Sequence, residues 1–213
     1  MSFYDSISDR KSFVISFTEN PLQDFGVFAK GYTRAASGLA EHLLEKPNFP
    51  DYEAYPVVFL YRQAFELYLK GLYYRASLIS FFNDSQRVDC QFIYKHTLQP
   101  LAVTFDKICK ALFPSEQKLL QLAQKVLVLA IEFEQIDKDS FGYRYPIDKK
   151  GNHSTRPHQV VNLFSLHTTM KELLEELETI DFGFDITALE AEEVYEIIQE
   201  AQNLIASVNG EAG

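Results

Sequence analysis

The sequence predicts an all-α protein: a helical bundle of five to six helices with a short extended or hairpin insert near residues 139–156. Apolar residues recur at three- and four-residue spacing through most of the chain, the pattern of helices that bury one face. Prolines and capping residues separate those stretches. A single segment breaks the rule: Phe141, Tyr143, Tyr145 and Ile147 alternate with Gly142, Arg144, Pro146 and Asp148, the two-residue period of extended chain.

The first helix runs from about Leu22 to Glu45 and stops before Pro47 and Pro50, since two closely spaced prolines cannot continue it. Pro47–Ala54 is a linker. The second spans about Tyr55 to Phe82, with Pro56 in its first turn. Its polar residues Arg62, Gln63, Glu66, Lys70 and Tyr73 share one stripe about a third of the circumference wide. The remainder is apolar or aromatic, as expected of a central helix. A polar connection, Asn83–Lys95, leads to a third helix that opens at His96-Thr97 with Thr97 as cap and ends near Leu112. A fourth starts at Pro114-Ser115 and runs to about Ile136. After the insert, whose Asp148–Asn152 turn uses Gly151, a fifth covers about His158 to Thr179. A sixth, about Ala188 to Val208, starts at a Thr187/Glu190 capping box. Its apolar positions, among them Leu189, Val194, Ile197 and Ile198, form a stripe expected to dock on the bundle or on a second copy. In domain terms, 1–21 is an arm, 22–180 the bundle, 187–208 an added acidic helix and 209–213 a disordered tail.

Composition excludes several classes. The chain has 213 residues and a formal net charge of −10, so it is not a generic nucleic-acid binder. No apolar run approaches the roughly 20 residues that span a bilayer, and the N-terminus lacks the apolar core of a signal peptide. Two cysteines, Cys90 and Cys109, are no disulfide framework, and a cytoplasmic location is expected. Phosphate-binding and dinucleotide glycine motifs are absent, and no cofactor is expected. His153, His158 and His167 stand in no ligand frame, so no metal is expected either. Thirty residues are aromatic, 18 Phe and 12 Tyr, more than one small bundle needs. A homodimer with rings at its interface is therefore expected.

Three groups could carry chemistry. Arg62, Glu66 and Lys70 follow one another at four-residue spacing. Exposed, they form a solvated ladder worth about 0.2–0.5 kcal/mol per pair. Enclosed on a central helix, they must pair or serve a site. His96, opening the next helix, either caps and packs or acts as a general base beside an arginine. Between Lys138 and His158 lie five Lys or Arg and two Asp. There Arg144 and Lys149 are candidates to bind phosphate, or Arg144 pairs with a helix carboxylate while the aromatics pin the insert. Residues 171–200, by contrast, hold eleven acids and one base, either a solvated face or a surface for a basic partner.

Tyr61-Arg62-Gln63-Ala64-Phe65-Glu66-Leu67-Tyr68-Leu69-Lys70-Gly71-Leu72, followed by Lys95-His96-Thr97-Leu98, resembles the HEPN (higher eukaryotes and prokaryotes nucleotide-binding) helical superfamily. The later Phe141–Lys149 segment is similar to an extended segment of some bacterial members. The resemblance covers about Leu22 to Thr179 and implies a four- or five-helix bundle, often dimeric. It also implies roles in toxin–antitoxin, abortive-infection or CRISPR defence, where many members are ribonucleases and others bind nucleotides or proteins without catalysis. Ribonuclease members carry Arg-x4–6-His; no Arg–His pair here has that spacing, so that catalytic pair is not carried onto this chain.

The leading expectation is an RNA-cleaving or RNA-binding effector whose catalytic residues are Arg62, Glu66 and His96, with Lys70, Arg144 and Lys149 holding phosphate. The alternatives are a non-catalytic module that dimerises or binds a partner protein through its acidic C-terminal helices, and a nucleotide-binding partner of a transferase.

Overall fold

The computed structural model describes residues 20–84, 94–137, 142–147, 150–154 and 160–210. Among the described residues, five helices form the bundle: α1 (Phe25–Leu44), α2 (Asp51–Asp84), α3 (Leu98–Leu112), α4 (Gln117–Ile136) and α5 (Leu163–Gly210). The expected all-α architecture is what the chain adopts. Helix α2 is its centre, packing on α1, α3 and α5, while α4 packs on α3. Its apolar face supplies Tyr61, Ala64, Phe65, Tyr68, Leu69 and Leu72, all essentially without exposure. Phe65 meets Phe133 of α4 at a centroid distance of 6.3 Å, a tilted aromatic pair.

Helix α2 begins earlier than the prolines suggest. Asp51 and Glu53 occupy its first turn, where carboxylates suit the positive helix end. Pro56 therefore lies inside the helix, not in its first turn. It removes one hydrogen bond, to the carbonyl of Tyr52, a residue 67% exposed to water. Thr97 does stand at the N-cap of α3 with extended backbone, but its side chain makes no cap bond. The amide of Gln99 is instead met by Glu134 of α4 at 3.2 Å. Glu116, rather than Ser115, precedes α4.

The largest departure is in α5. Two helices were expected, separated near Thr187; one 48-residue helix is found. Its start is capped by Asn162, whose Oδ1 accepts the amide of Ser165 at 2.9 Å. Thr187 caps nothing: its hydroxyl donates back to the Gly183 carbonyl, one turn earlier, at 3.0 Å. Two contacts require helical spacing through this stretch. Arg75 binds both Asp181 and Asp185, which share a helix face only if the turn between them is regular. Phe184 and Ala188, also four apart, are both buried, Phe184 against Phe113 at 5.0 Å.

That docking face also corrects the expected one. Phe184, Ala188, Ala191 and Tyr195 face the bundle, Tyr195 against Phe81 and Phe82. Leu189, Val194, Ile197 and Ile198 are 47–60% exposed. Among the described residues, the insert is a short hairpin with one antiparallel bridge, Ile147 to His153. Gly151 turns it at φ 81°, a conformation glycine adopts without strain. It is not a strand with a packed aromatic face. Residues 142–144 form a turn, Tyr143 packs on Tyr55, and Tyr145 and Ile147 are more than half exposed. Phe141, Asp148 and Lys149 lie outside the described residues.

Candidate functional site

The polar stripe of α2 is enclosed. Arg62 and Glu66 have no exposure and Lys70 has 4%, so the trio is not a solvated ladder. Charges this deep must be matched, and the structure matches each of them. Arg62 Nη1 donates to Glu66 Oε2 at 3.0 Å. Lys70 Nζ donates to Glu66 Oε1 at 2.8 Å. Asp137, at the end of α4 and also buried, brings a second carboxylate, its Oδ2 3.8 Å from Arg62 Nε. Two cations and two anions thus share one enclosed cluster. Arg62 Nε and Asp137 Oδ2 face each other just beyond hydrogen-bonding distance, and neither has a partner among the described residues. The other oxygen of Asp137 accepts the amide of Gly142 at 2.9 Å, which fastens the start of the insert to this cluster.

His96 joins from the segment before α3. Arg62 Nη2 donates to its backbone carbonyl at 2.7 Å. The His96 ring places Nδ1 2.9 Å from Glu66 Oε1. Burial pushes the Glu66 carboxyl upward, but the Lys70 ammonium and its hydrogen bond, the Arg62 guanidinium and the His96 hydrogen bond outweigh it and hold the group below its ordinary value. An ionised carboxylate only accepts hydrogen bonds, so Nδ1 carries the proton. In the neutral ring, Nε2 is then the basic nitrogen. The His96 side chain is 67% exposed, whereas the groups that orient it are enclosed.

Of the residues singled out from sequence, Arg62, Glu66, Lys70 and His96 therefore meet at one point. The Arg144 guanidinium is 5.6 Å from the ring of Phe59, one turn before Arg62 on α2. Lys149 lies outside the described residues. Asp137 was missed because it follows the last turn of α4 and has no helical spacing to Arg62; only its place between a buried helix and the insert could have pointed to it.

Two other buried polar networks were also missed. Tyr61 Oη lies 2.7 Å from His167 Nδ1 and 3.2 Å from Ser37 Oγ, tying α1, α2 and α5 together. Burial raises the Tyr61 phenol, which the Ser37 hydrogen bond opposes and the Glu41 charge reinforces. Arg75 holds Asp181 at 2.9 Å and Asp185 at 3.0 Å, under the N-terminal turn of α1. Burial lifts the Asp181 carboxyl to about 6 despite Arg75, with Asp185 and Glu178 adding to the rise. Cys109 is buried and unpaired; burial, and secondarily Asp106, push its thiol up to about 12, which makes it inert at neutral pH.

Among the described residues, no group of three His, Cys, Asp or Glu side chains could hold a metal ion, and no helix is long and apolar enough to cross a membrane. No family model, no curated protein and no solved structure matches this chain.

Proposed function

We propose that this chain is a HEPN-like helical protein acting on RNA in a bacterial defence or toxin–antitoxin setting, with His96 as its general base. The observation that carries the reading is an exposed imidazole whose Nδ1 is anchored on an enclosed, ionised Glu66. A carboxylate behind an imidazole sets the tautomer and steadies the imidazolium that forms when Nε2 takes a proton. On RNA, Nε2 removes the proton of a ribose 2′-hydroxyl. The 2′-oxygen then bonds to the adjacent phosphorus, and the bond from phosphorus to the 5′-oxygen breaks. The products are a 2′,3′-cyclic phosphate and a 5′-hydroxyl end, the latter protonated from water.

In this reading the enclosed residues divide their roles. Arg62 and Glu66 position His96 without touching substrate, because their side chains have almost no exposure. Lys70, bound to the same carboxylate, keeps Glu66 ionised. Arg144, on the exposed side of the insert, is the cation suited to a phosphate oxygen. The test is incubation of purified protein with end-labelled RNA, with and without a single 2′-deoxy substitution at the cleaved position. Cleavage that leaves a cyclic phosphate, stops at the deoxy position and is lost in His96→Ala is expected. Intact RNA, or equal cleavage by His96→Ala, overturns the proposal.

A further inference from the structure

Helix α5 has a second face that nothing in the described bundle covers. With Phe182 at 0° and about 100° per residue, Ile186 falls near 40°, Leu189 near −20° and Ile197 near 60°. The docking residues Phe184, Ala188, Ala191 and Tyr195 lie between about 180° and 240°, on the opposite side. The outer residues are correspondingly open: Phe182 67%, Ile186 42%, Leu189 60% and Ile197 60%. They make a stripe about 22 Å long. Isolated exposed apolar residues need no explanation, but four aligned on one helix face over several turns, with carboxylates set among them, make a surface suited to a partner.

Charge decides what fits it. Glu193, Glu196 and Glu200 fall near 20°, −40° and 0°, within the same third of the circumference, and Glu190 borders it near 80°. No Lys or Arg follows Lys171 in the chain. A second copy laid along this stripe would set carboxylates against carboxylates with no base in the segment to relieve them. A segment with an apolar face and lysines or arginines beside it satisfies both features at once.

We propose that the outer face of α5, from Phe182 to Glu200, is the docking surface for a basic amphipathic helix of a partner protein. The occupant sets its apolar side on Leu189 and Ile197 and its cations against Glu193, Glu196 and Glu200. This surface is separate from the His96 site and stands or falls without it.

The test uses the full chain and two synthetic helical peptides, one with leucines on one face and lysines on the other, the second with glutamates replacing the lysines. Each peptide carries one tryptophan; the protein has none, so the emission reports the peptide alone. The lysine peptide is expected to bind with a blue-shifted emission, and the glutamate peptide is not. Leu189→Ser/Ile197→Ser, which keeps every charge, is expected to weaken binding at least tenfold with unchanged circular dichroism. Glu193→Gln/Glu196→Gln/Glu200→Gln is expected to weaken it and flatten its salt dependence. Full binding by the serine variant would reduce the effect to general attraction between opposite charges and overturn the proposal. So would sedimentation showing a dimer that the serine variant dissolves, since a second copy would then be the occupant.

Discussion

Arg62 on α2 grips the backbone carbonyl of His96 through Nη2 at 2.7 Å, from a side chain with no exposure to water. One guanidinium thereby fixes the backbone of His96 and one oxygen of the carboxylate that holds its ring. Removing it takes the partner from Glu66 Oε2 and from the His96 carbonyl, and leaves buried Asp137 without its cation. Arg62→Ala should cost about 3–5 kcal/mol of folding stability, the usual consequence of breaking a buried ion pair from one side. Urea unfolding at neutral pH measures it; a loss under about 1 kcal/mol would mean that water replaces the guanidinium.

His96 should behave in the opposite way. Its ring is mostly exposed, and its loss removes one hydrogen bond from a carboxylate that keeps two others. His96→Ala should change stability by less than about 1 kcal/mol while abolishing any activity on RNA. Nitrogen-15 spectra of the histidine rings give a structural check: the His96 signal should show the proton on Nδ1 when the ring is neutral. A ring protonated on Nε2 would mean that Glu66 does not set the tautomer.

Glu66 and Asp181 should drive stability in opposite directions with pH. The Glu66 carboxyl is held below its ordinary value of 4.5. Its contribution is present above that value and is lost as acid protonates it in the folded state. The Asp181 carboxyl rises from 3.8 to about 6. Its contribution is full below 3.8 and disappears as pH climbs through about 6, where the folded protein must ionise a buried group facing Arg75, Asp185 and Glu178. Asp181→Asn should therefore flatten the stability profile between about pH 4 and 6, and Glu66→Gln should remove the steep fall below it. Urea midpoints across that range decide the matter; an Asp181→Asn profile parallel to the unmodified protein would refute the first part.

Two glycines of α1 should respond oppositely to alanine. A Cβ on Gly26 would stand 2.3 Å from Asp181 Oδ2, and Arg75 holds that carboxylate by its other oxygen. Gly26→Ala should cost about 1–3 kcal/mol, as overpacking does. Gly31 has nothing within 4 Å of its Cβ position, so Gly31→Ala should gain about 0.5–1 kcal/mol from helix propensity. Thermal melts of both variants test the pair.

Much of this was legible from the chain alone where the relevant residues are close in sequence. Arg62, Glu66 and Lys70 at four-residue spacing on the most apolar helix left two readings, a solvated ladder or an enclosed trio, and the structure has the enclosed one. The meeting of His96 with Glu66 was not legible, because the partners stand 30 positions apart and no local pattern encodes a contact at that separation. Arg75 with Asp181 was hidden for the same reason, the partners being 106 positions apart. The continuity of α5 was misread because Thr187 and Glu190 have the spacing of a capping box. Tertiary contacts at Phe184, Ala188 and Arg75 override that local signal, as packing commonly overrides propensity.

That uninterrupted helix changes what the outer face of α5 needs in order to bind. A hinge at residues 181–187 would have to be ordered on each encounter, at roughly 1–2 kcal/mol per residue immobilised. Here the ordering is complete once the chain has folded, since Arg75 clamps Asp181 and Asp185 and Phe113 seats Phe184. The stripe from Phe182 to Ile197 is thus presented ready-shaped, and a partner meets a rod rather than a strap. Loosening that rod at Arg75, 110 positions before Asp185, would weaken binding through the shape of the helix, since Arg75 holds Asp181 and Asp185 rather than Leu189 or Ile197.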